Sequence, residues 1–318
     1  MHAIKTILRK ELADHFSSNR FIILFALISM VSLVTAYMVG LNIRQELQGV
    51  AKPRFVFLML FTSPGALFSL VQFVAFFGPL VGLILGFDTI NRERNEGTLS
   101  KLLAQPIYRD AVINGKFLAG VVVISVMLVS IVLLITGLGL NLAGVISGME
   151  EAARILIYLL VSIVYISFWL GVAILFSILF RNIATSALAA LAVWIFFSFF
   201  ISLGASVLAN AITPEAGEAN PEAVFQRARI ERAIASVSPM NLYTDATATI
   251  IDPMRKTTGT IVRMGPMESL SLSRFAGPLQ LSQSILLVVP YLISLVAITA
   301  ICFAISYTVF MRQEIRSM

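Results

Sequence analysis

The sequence predicts an all-α integral membrane protein with six transmembrane helices and a short interfacial helix at its N-terminus. Three observations predict it. Of 318 residues, 58% are hydrophobic and 13% charged, with a mean hydropathy of +0.92. A soluble domain carries about a quarter charged residues, and one core of this size cannot hide so much apolar surface. Six segments hold no Asp, Glu, Lys or Arg: Phe21–Leu41, Ala66–Phe87, Phe117–Leu140, Ile155–Phe180, Ile183–Asn210 and Leu281–Met311. Each exceeds the roughly 20 residues needed to cross a hydrocarbon layer. The basic residues gather at the ends of these segments, as they do around membrane spans. Helices are the expected form, because each satisfies its own backbone in lipid.

In Met1–Phe16, Ile4, Ile7, Leu8, Leu12 and Phe16 make one helical face, and Lys5, Arg9, Lys10 and Asp14 lie away from it. Residues 1–20 are therefore expected to form a cytoplasmic elbow, flat in the interface with the apolar side sunk. The first apolar run is too long for a signal-peptide core and lacks a small-x-small site. Residues 21–210 carry spans one to five. Pro79 and Pro290 each remove a backbone donor inside a span. Gly82 and Gly86, four apart, permit close helix approach, within one subunit or between two.

With six spans both termini share a side. The segments on that side hold 12 Lys/Arg in 58 residues, and the opposite ones hold 11 in 108. The denser side is expected to be cytoplasmic, in the plasma membrane, with residues 312–318 as a cytoplasmic tail. Residues 211–280 form the one large external loop. In it Pro221–Val237 reads as a helix, Ser238-Pro239 as its stop, Asn241–Ile251 as a small helix against the outer mouth, and Asp252–Gly277 as mostly loop. Residues 281–311 form the sixth span.

Little in the chain points to catalysis. There is no P-loop and no HExxH, the spans contain no acid for a protease or proton relay, and neither histidine, His2 or His15, lies in a span. The single cysteine, Cys302, allows neither an intrachain disulfide nor a thiolate cluster. No catalytic, metal or cofactor residue is assigned. The net charge of +6 lacks the aromatic–basic interleaving of a nucleic-acid groove, so nucleic acid is not an expected partner.

The charged island Asp88–Lys116 is the most distinctive stretch, with five Lys/Arg and four Asp/Glu in 29 residues. Asp88–Glu96 extends the second span as a polar helix, and Gly97 breaks it. Thr98 then caps a short helix near residues 97–105, whose face is Leu99, Leu102 and Leu103 and whose stop is Pro106. So short a helix is not stable alone, which suits leucines docked in another protein's groove.

Glu93 to Lys116 resembles the signature of ABC-2 type transporter permeases in Glu93, Gly97, Thr98, Leu99, Leu102, Leu103, Pro106, Arg109, Gly115 and Lys116. The elbow is similar to that family's. Ser238 and Pro239, followed by Asn241, Leu242 and Tyr243, resemble the external Ser-Pro segment of the subgroup containing the nitrous-oxide-reductase maturation permease. The resemblance implies an ABC-2, type V exporter-like fold. It further implies a second copy of the permease and two copies of a separate ABC ATPase holding ATP and magnesium. Glu93, Glu96, Gly97, Thr98, Leu99, Leu102, Leu103, Pro106, Arg109 and Lys116 are then the ATPase-coupling residues; if Glu93 pairs with a basic residue at the groove rim, its loss should be milder than that of Leu102. Ser238, Pro239, Asn241 and Tyr243 mark the external loop. The uncharged spans suit export of an amphipathic or apolar substrate, or force passed to an extracytoplasmic protein. The alternative is a non-transport membrane scaffold that binds partners through its external loop. An adjacent ATPase reading frame would favour the first reading.

The charge bias predicts sidedness. A cysteine at Gln226 should react with an impermeant label in intact cells, and one at Ser100 only after permeabilisation. Reversed labelling would refute the orientation.

Overall fold

A computed structural model of the chain describes residues 2–46, 55–62, 70–99, 108–144, 147–213, 221–253 and 278–313. The described residues are helical throughout apart from turns. In chain order the helices are α1 (His2–Phe16), α2 (Asn19–Glu46), α3 (Val56–Thr62), α4 (Leu70–Gly86), α5 (Asn91–Asn95), α6 (Arg109–Ala143), α7 (Met149–Leu179) and α8 (Ile183–Ile195). A π-helical turn, Phe196–Phe200, joins α8 to α9 (Ile201–Ile212). The chain ends with α10 (Pro221–Ala235), α11 (Pro239–Ile251) and α12 (Leu281–Arg312). Six helical stretches are long and apolar enough to cross a membrane: Asn19–Gln45, Leu70–Asn95, Arg109–Leu142, Met149–Leu179, Ile183–Ile212 and Leu281–Arg312.

α7 is the centre of the bundle, with α4, α6, α8, α11 and α12 packed on it. The small residues explain the α4–α7 contact. A Cβ at Gly82 would come to 2.6 Å from the Ile166 carbonyl oxygen, and one at Gly86 to 2.7 Å from the Ala173 Cβ. The glycine pair therefore serves packing inside one subunit. Gly120 meets Leu170 in the same way from α6. α2, the α8–α9 span and α12 are less enclosed and present Met30, Met38, Leu188, Leu203, Val207, Leu286 and Ile293 outward.

Two polar contacts repair breaks in the spans. Pro79 has no N–H for the Ala75 carbonyl four residues earlier, and the Tyr165 hydroxyl of α7 donates to that oxygen at 2.8 Å. At the π-turn, the Ile201 N–H reaches back to Phe196 instead of Phe197. The Ser238 hydroxyl donates to the Phe197 carbonyl at 2.8 Å.

α3 was not expected. Its run VFLMLFT is too short to span, so it packs, with Phe57, Leu58, Leu60 and Phe61 almost fully buried. α11 also departs from expectation. It does not lie against an outer mouth but inserts into the bundle against α12, α7 and α4. Apart from Asn241 and Asp245 its residues are small or apolar, with Tyr243, Ala246, Thr247 and Ile250 fully buried. Tyr243 stacks on Tyr165 at 4.3 Å and shares a 2.9 Å hydrogen bond with Ser162. Of the expected external loop, residues 214–220 and 254–277 lie outside the described residues.

Gly82→Ala should destabilise the fold by about 1–3 kcal/mol, because backbone of α7 occupies the space on both sides. Gly137→Ala meets open space and should be neutral or stabilising by up to about 1 kcal/mol through helix propensity. Thermal unfolding in detergent compares the two variants, and an equal shift for both would overturn the packing account.

Candidate functional site

The charged island becomes a junction at the face that gathers both ends of the described chain. α4 stops at Gly86, and residues 87–90 turn before α5 resumes. The polar extension is therefore not continuous with the span. In an unbroken helix the Asn91 N–H would bond the Phe87 carbonyl. Here the N–H groups of Ile90 and Asn91 both donate to Ser177 Oγ of α7, at 2.9 and 3.1 Å. The freed Phe87 carbonyl accepts from the Ser186 hydroxyl at 2.8 Å. After α5, Gly97 takes φ +69° with no atom near its missing Cβ. The left-handed conformation, rather than crowding, calls for glycine there. Thr98 and Leu99 are already helical. The Thr98 hydroxyl donates back to the Glu93 carbonyl at 3.2 Å.

Lys116 anchors the junction. Its side chain is 2% exposed, and its ammonium bonds Glu11 of α1 and Glu93 of α5, each at 2.9 Å. Lys10 adds longer contacts to Glu11 (3.1 Å), Glu93 (3.4 Å) and Asp14 (3.4 Å). The neighbouring Gly115 has the room to admit α1, since a Cβ there would lie 2.7 Å from the Ile7 Cγ2. Ile7 and Glu11, one helical turn apart, thus meet two consecutive residues of α6. Arg20 pairs with Asp88 and sits 5.5 Å over the Phe87 ring. Burial works to raise the Glu11 pKa, but the ammonium groups of Lys116 and Lys10 outweigh it and hold the carboxyl below its usual 4.5. Burial likewise opposes the Lys10 charge, and the surrounding carboxylates overcome it, so its pKa is raised.

A second knot forms around Gln313, just past α12. The Arg94 guanidinium donates to its side-chain oxygen, and Arg109 donates to its backbone carbonyl at 3.0 Å. Gln313 in turn donates to the Ile178 carbonyl of α7 at 2.9 Å. Four elements, α5, α6, α7 and α12, meet there. Among the described residues the assembly contains charge pairs and hydrogen-bonded joints but no arrangement of nucleophile and base. Among the described residues no group of three His, Cys, Asp or Glu side chains is placed to hold a metal ion.

The predicted coupling residues divide. Glu93 and Lys116 come together. Glu93 is not at a rim awaiting a partner's base, because its partners are Lys116 and Lys10. Leu99 is 1% exposed within the chain's own core, so it is not part of an open docking face. Thr98 is within the helical turn and not its cap. Glu96 is exposed and pairs with Arg92 at 3.0 Å, Gly97 is exposed, and Arg109 holds Gln313. Leu102, Leu103 and Pro106 lie outside the described residues. Ser238, Pro239 and Tyr243 lie buried within the bundle, against the middle of the spans. Asn241 donates to the Ala235 carbonyl at 3.0 Å, tying α11 to the end of α10.

Sequence reasoning missed Glu11, Ser177, Gln313 and Arg154. Arg154 is fully buried near the start of α7. It donates to the carbonyls of Thr249, Ile250 and Leu279, to Ser284 Oγ and to Glu150, at 2.6–3.3 Å. The Glu150–Arg154 spacing of four, at the mouth of an uncharged span, was its only trace in the sequence.

Lys116→Met should destabilise the protein by about 3 kcal/mol, the low end for breaking a buried pair, since Glu11 and the half-buried Glu93 keep only the longer contacts to Lys10. Glu11→Gln should cost less, because Glu93 retains Lys116. The folded Glu11 pKa is depressed, so its contribution is full above about pH 4.5 and is lost as pH falls through the folded value. The stability gap between parent and Glu11→Gln should therefore be flat from pH 8 to 5 and close in stronger acid. Unfolding midpoints across pH measure it, and a gap that widens on acidification would contradict the assignment.

Comparison with known proteins agrees with this architecture. The sequence model of the ABC-2 family transporter protein matches residues 5–315. The probable ABC transporter permease protein NosY of Pseudomonas aeruginosa is 32% identical over 119 residues, 37% of this chain and 38% of that protein. NosY of Stutzerimonas stutzeri is 32% identical over 118 residues, with the same coverage. The chain thus spans well under half the length of the curated relatives it matches. With six apolar spans and a family match over nearly its whole length, the chain is a multi-pass membrane protein of the ABC-2 transporter family.

Proposed function

We propose that this chain is the permease subunit of an ATP-driven transporter in the plasma membrane, with both termini cytoplasmic. Two copies pair with each other and with two copies of a separate ABC ATPase, which holds ATP and magnesium. The chain itself is not an enzyme. The observation that carries this reading is Lys116, bonded at once to the elbow helix and to the arm leaving the second span. The segment between Leu99 and Tyr108 is thereby rooted in α5 on one side and α6 on the other. A push on that segment reaches α1, α4 and α6 together. The names of the relatives, ABC transporter permeases, support the same role.

In this mechanism ATP draws the ATPase dimer closed and carries the segment from Gly97 to Pro106 with it. The second and third spans shift, and a path at the permease dimer interface opens or tightens. Only a difference in affinity between the two states drives such a shift. The uncharged interior of the spans favours an amphipathic or apolar cargo, moved outward. Force passed to an extracytoplasmic protein is the second form of the same reading. It is favoured by Arg154, which ties α11 and the start of α12 to α7.

Leu102→Asp tests the coupling role. The permease should still insert and dimerise. If Leu102 enters an ATPase groove, a carboxylate there costs several kcal/mol and ATPase co-purification falls by orders of magnitude. If Leu102 faces water, the change stays within about 0.5 kcal/mol. Unchanged stoichiometry with unchanged ATP-dependent activity would sink the proposal.

A further inference from the structure

Four carboxylates of the junction are already committed. Asp88 pairs with Arg20, Glu93 with Lys116 and Lys10, and Glu96 with Arg92. Asp110 accepts from the Ala111 N–H in its own first turn. Three arginines at the same face have no carboxylate partner among the described residues. Arg94 and Arg109 both spend a donor on the neutral Gln313. Arg181 is exposed, and its backbone carbonyl accepts from Asn95 at 3.3 Å, next to Arg94. Gln313 also bonds Ile178, three residues before Arg181. The three cations therefore converge from α5, α6 and the α7–α8 turn, and the Arg94 charge is opposed first by its partial burial and then by Arg181.

The turn sets the depth of this cluster. Only Phe180–Asn182 separates α7 from α8. Three residues reach at most about 10 Å, so a turn between two spans stays in the headgroup layer. The anion abundant at that depth is a lipid phosphate. A guanidinium presents paired donors matched to phosphate oxygens, and basic pockets between spans are suited to anionic headgroups.

We infer that Arg94, Arg109 and Arg181 hold the phosphate of an anionic phospholipid in the leaflet on the terminal face. The site relieves the repulsion between Arg94 and Arg181 and pins the α5 arm to the bilayer surface. It rests on the membrane-spanning fold and not on the proposed transport activity.

The test uses the full-length protein, with whatever subunits co-purify, in nanodiscs of phosphatidylcholine alone or mixed with phosphatidylglycerol. Native mass spectrometry counts retained lipids, and thermal unfolding measures stabilisation. The parent should keep phosphatidylglycerol and be stabilised by it. Arg94→Gln/Arg181→Gln should lower its retention about tenfold, the scale of one charge-assisted contact. The single variant Arg181→Gln, at an exposed position, keeps the test valid if the double variant folds poorly. Arg92→Gln, whose parent residue pairs with Glu96, should behave as the parent. Equal phosphatidylglycerol retention in parent and Arg181→Gln overturns the inference. Stabilisation of the lipid-free parent by inorganic phosphate to the same degree would reassign the site to a soluble anion. Variants that keep the lipid but lose a co-purifying protein would reassign the arginines to an acidic protein surface.

Discussion

No backbone polar group can be left open in hydrocarbon, and this constraint organises the bundle. The helical hydrogen-bond ladder is interrupted at Pro79, at residues 87–90 and at the π-turn Phe196–Phe200. Each break exposes a carbonyl or an N–H that its own helix no longer satisfies, and each is closed by a hydroxyl from another element. Tyr165 serves Ala75, Ser177 serves Ile90 and Asn91, Ser186 serves Phe87, and Ser238 serves Phe197. An unpaired peptide group in an apolar setting costs several kcal/mol. The breaks therefore persist only while the neighbouring helices stay in register. Hydroxyls at 2.8–3.1 Å tolerate little sliding, so these four side chains specify how the spans align as well as stabilise them.

α7 supplies two of these hydroxyls and much of the remaining order. Near its start Arg154 gathers three carbonyls, a serine and a glutamate. At its end Ser177 and the Ile178 carbonyl hold α5 and Gln313. Arginine suits the first role because five donors in a planar fork can serve several fixed acceptors at once, which a lysine cannot. Between the ends, Gly82, Gly86 and Gly120 let α4 and α6 press directly on the α7 surface. A helix gripped at both ends and packed along its length transmits displacement instead of absorbing it. The contrast with α2, α8–α9 and α12, whose outer faces carry large apolar side chains, divides a stiff interior from surfaces open to lipid or a second subunit.

The spans and the elbow were legible because hydropathy and helical period are local properties. Helix ends shifted by a few residues, and α6 began as early as Arg109, since charged residues at the interface do not end a helix. What escaped was nonlocal. Glu11 sits 105 positions from Lys116, and Gln313 sits 219 from Arg94. The spacing of Ile4, Ile7 and Glu11 puts the glutamate on the inward face of α1, but nothing local in the sequence names its partner. Leu99 was misassigned for a related reason: an apolar face on a short helix does not reveal whether its groove belongs to the same chain or to another. α11 was misplaced because eleven apolar and threonine-rich residues after a Ser-Pro pair fit a surface helix as well as a buried one. Only the carbonyl acceptors around Arg154 distinguish the two.

The Glu11–Lys116–Glu93 cluster raises the question of why charge is used at a joint that apolar contact might have made. Buried ion pairs contribute little net stability, because the desolvation of each ion offsets much of the attraction. Ile7 against Gly115 already gives α1 its apolar hold on α6, but such contact is nearly indifferent to small rotations. The ammonium of Lys116 has two carboxylates at the same 2.9 Å from two different elements, and moving either one leaves a buried charge exposed to a heavy penalty. The cluster therefore opposes relative motion of α1, α5 and α6 far more strongly than it favours folding. At a junction that roots the segment between two spans, resistance to relative motion is the property that lets the three helices move as one piece.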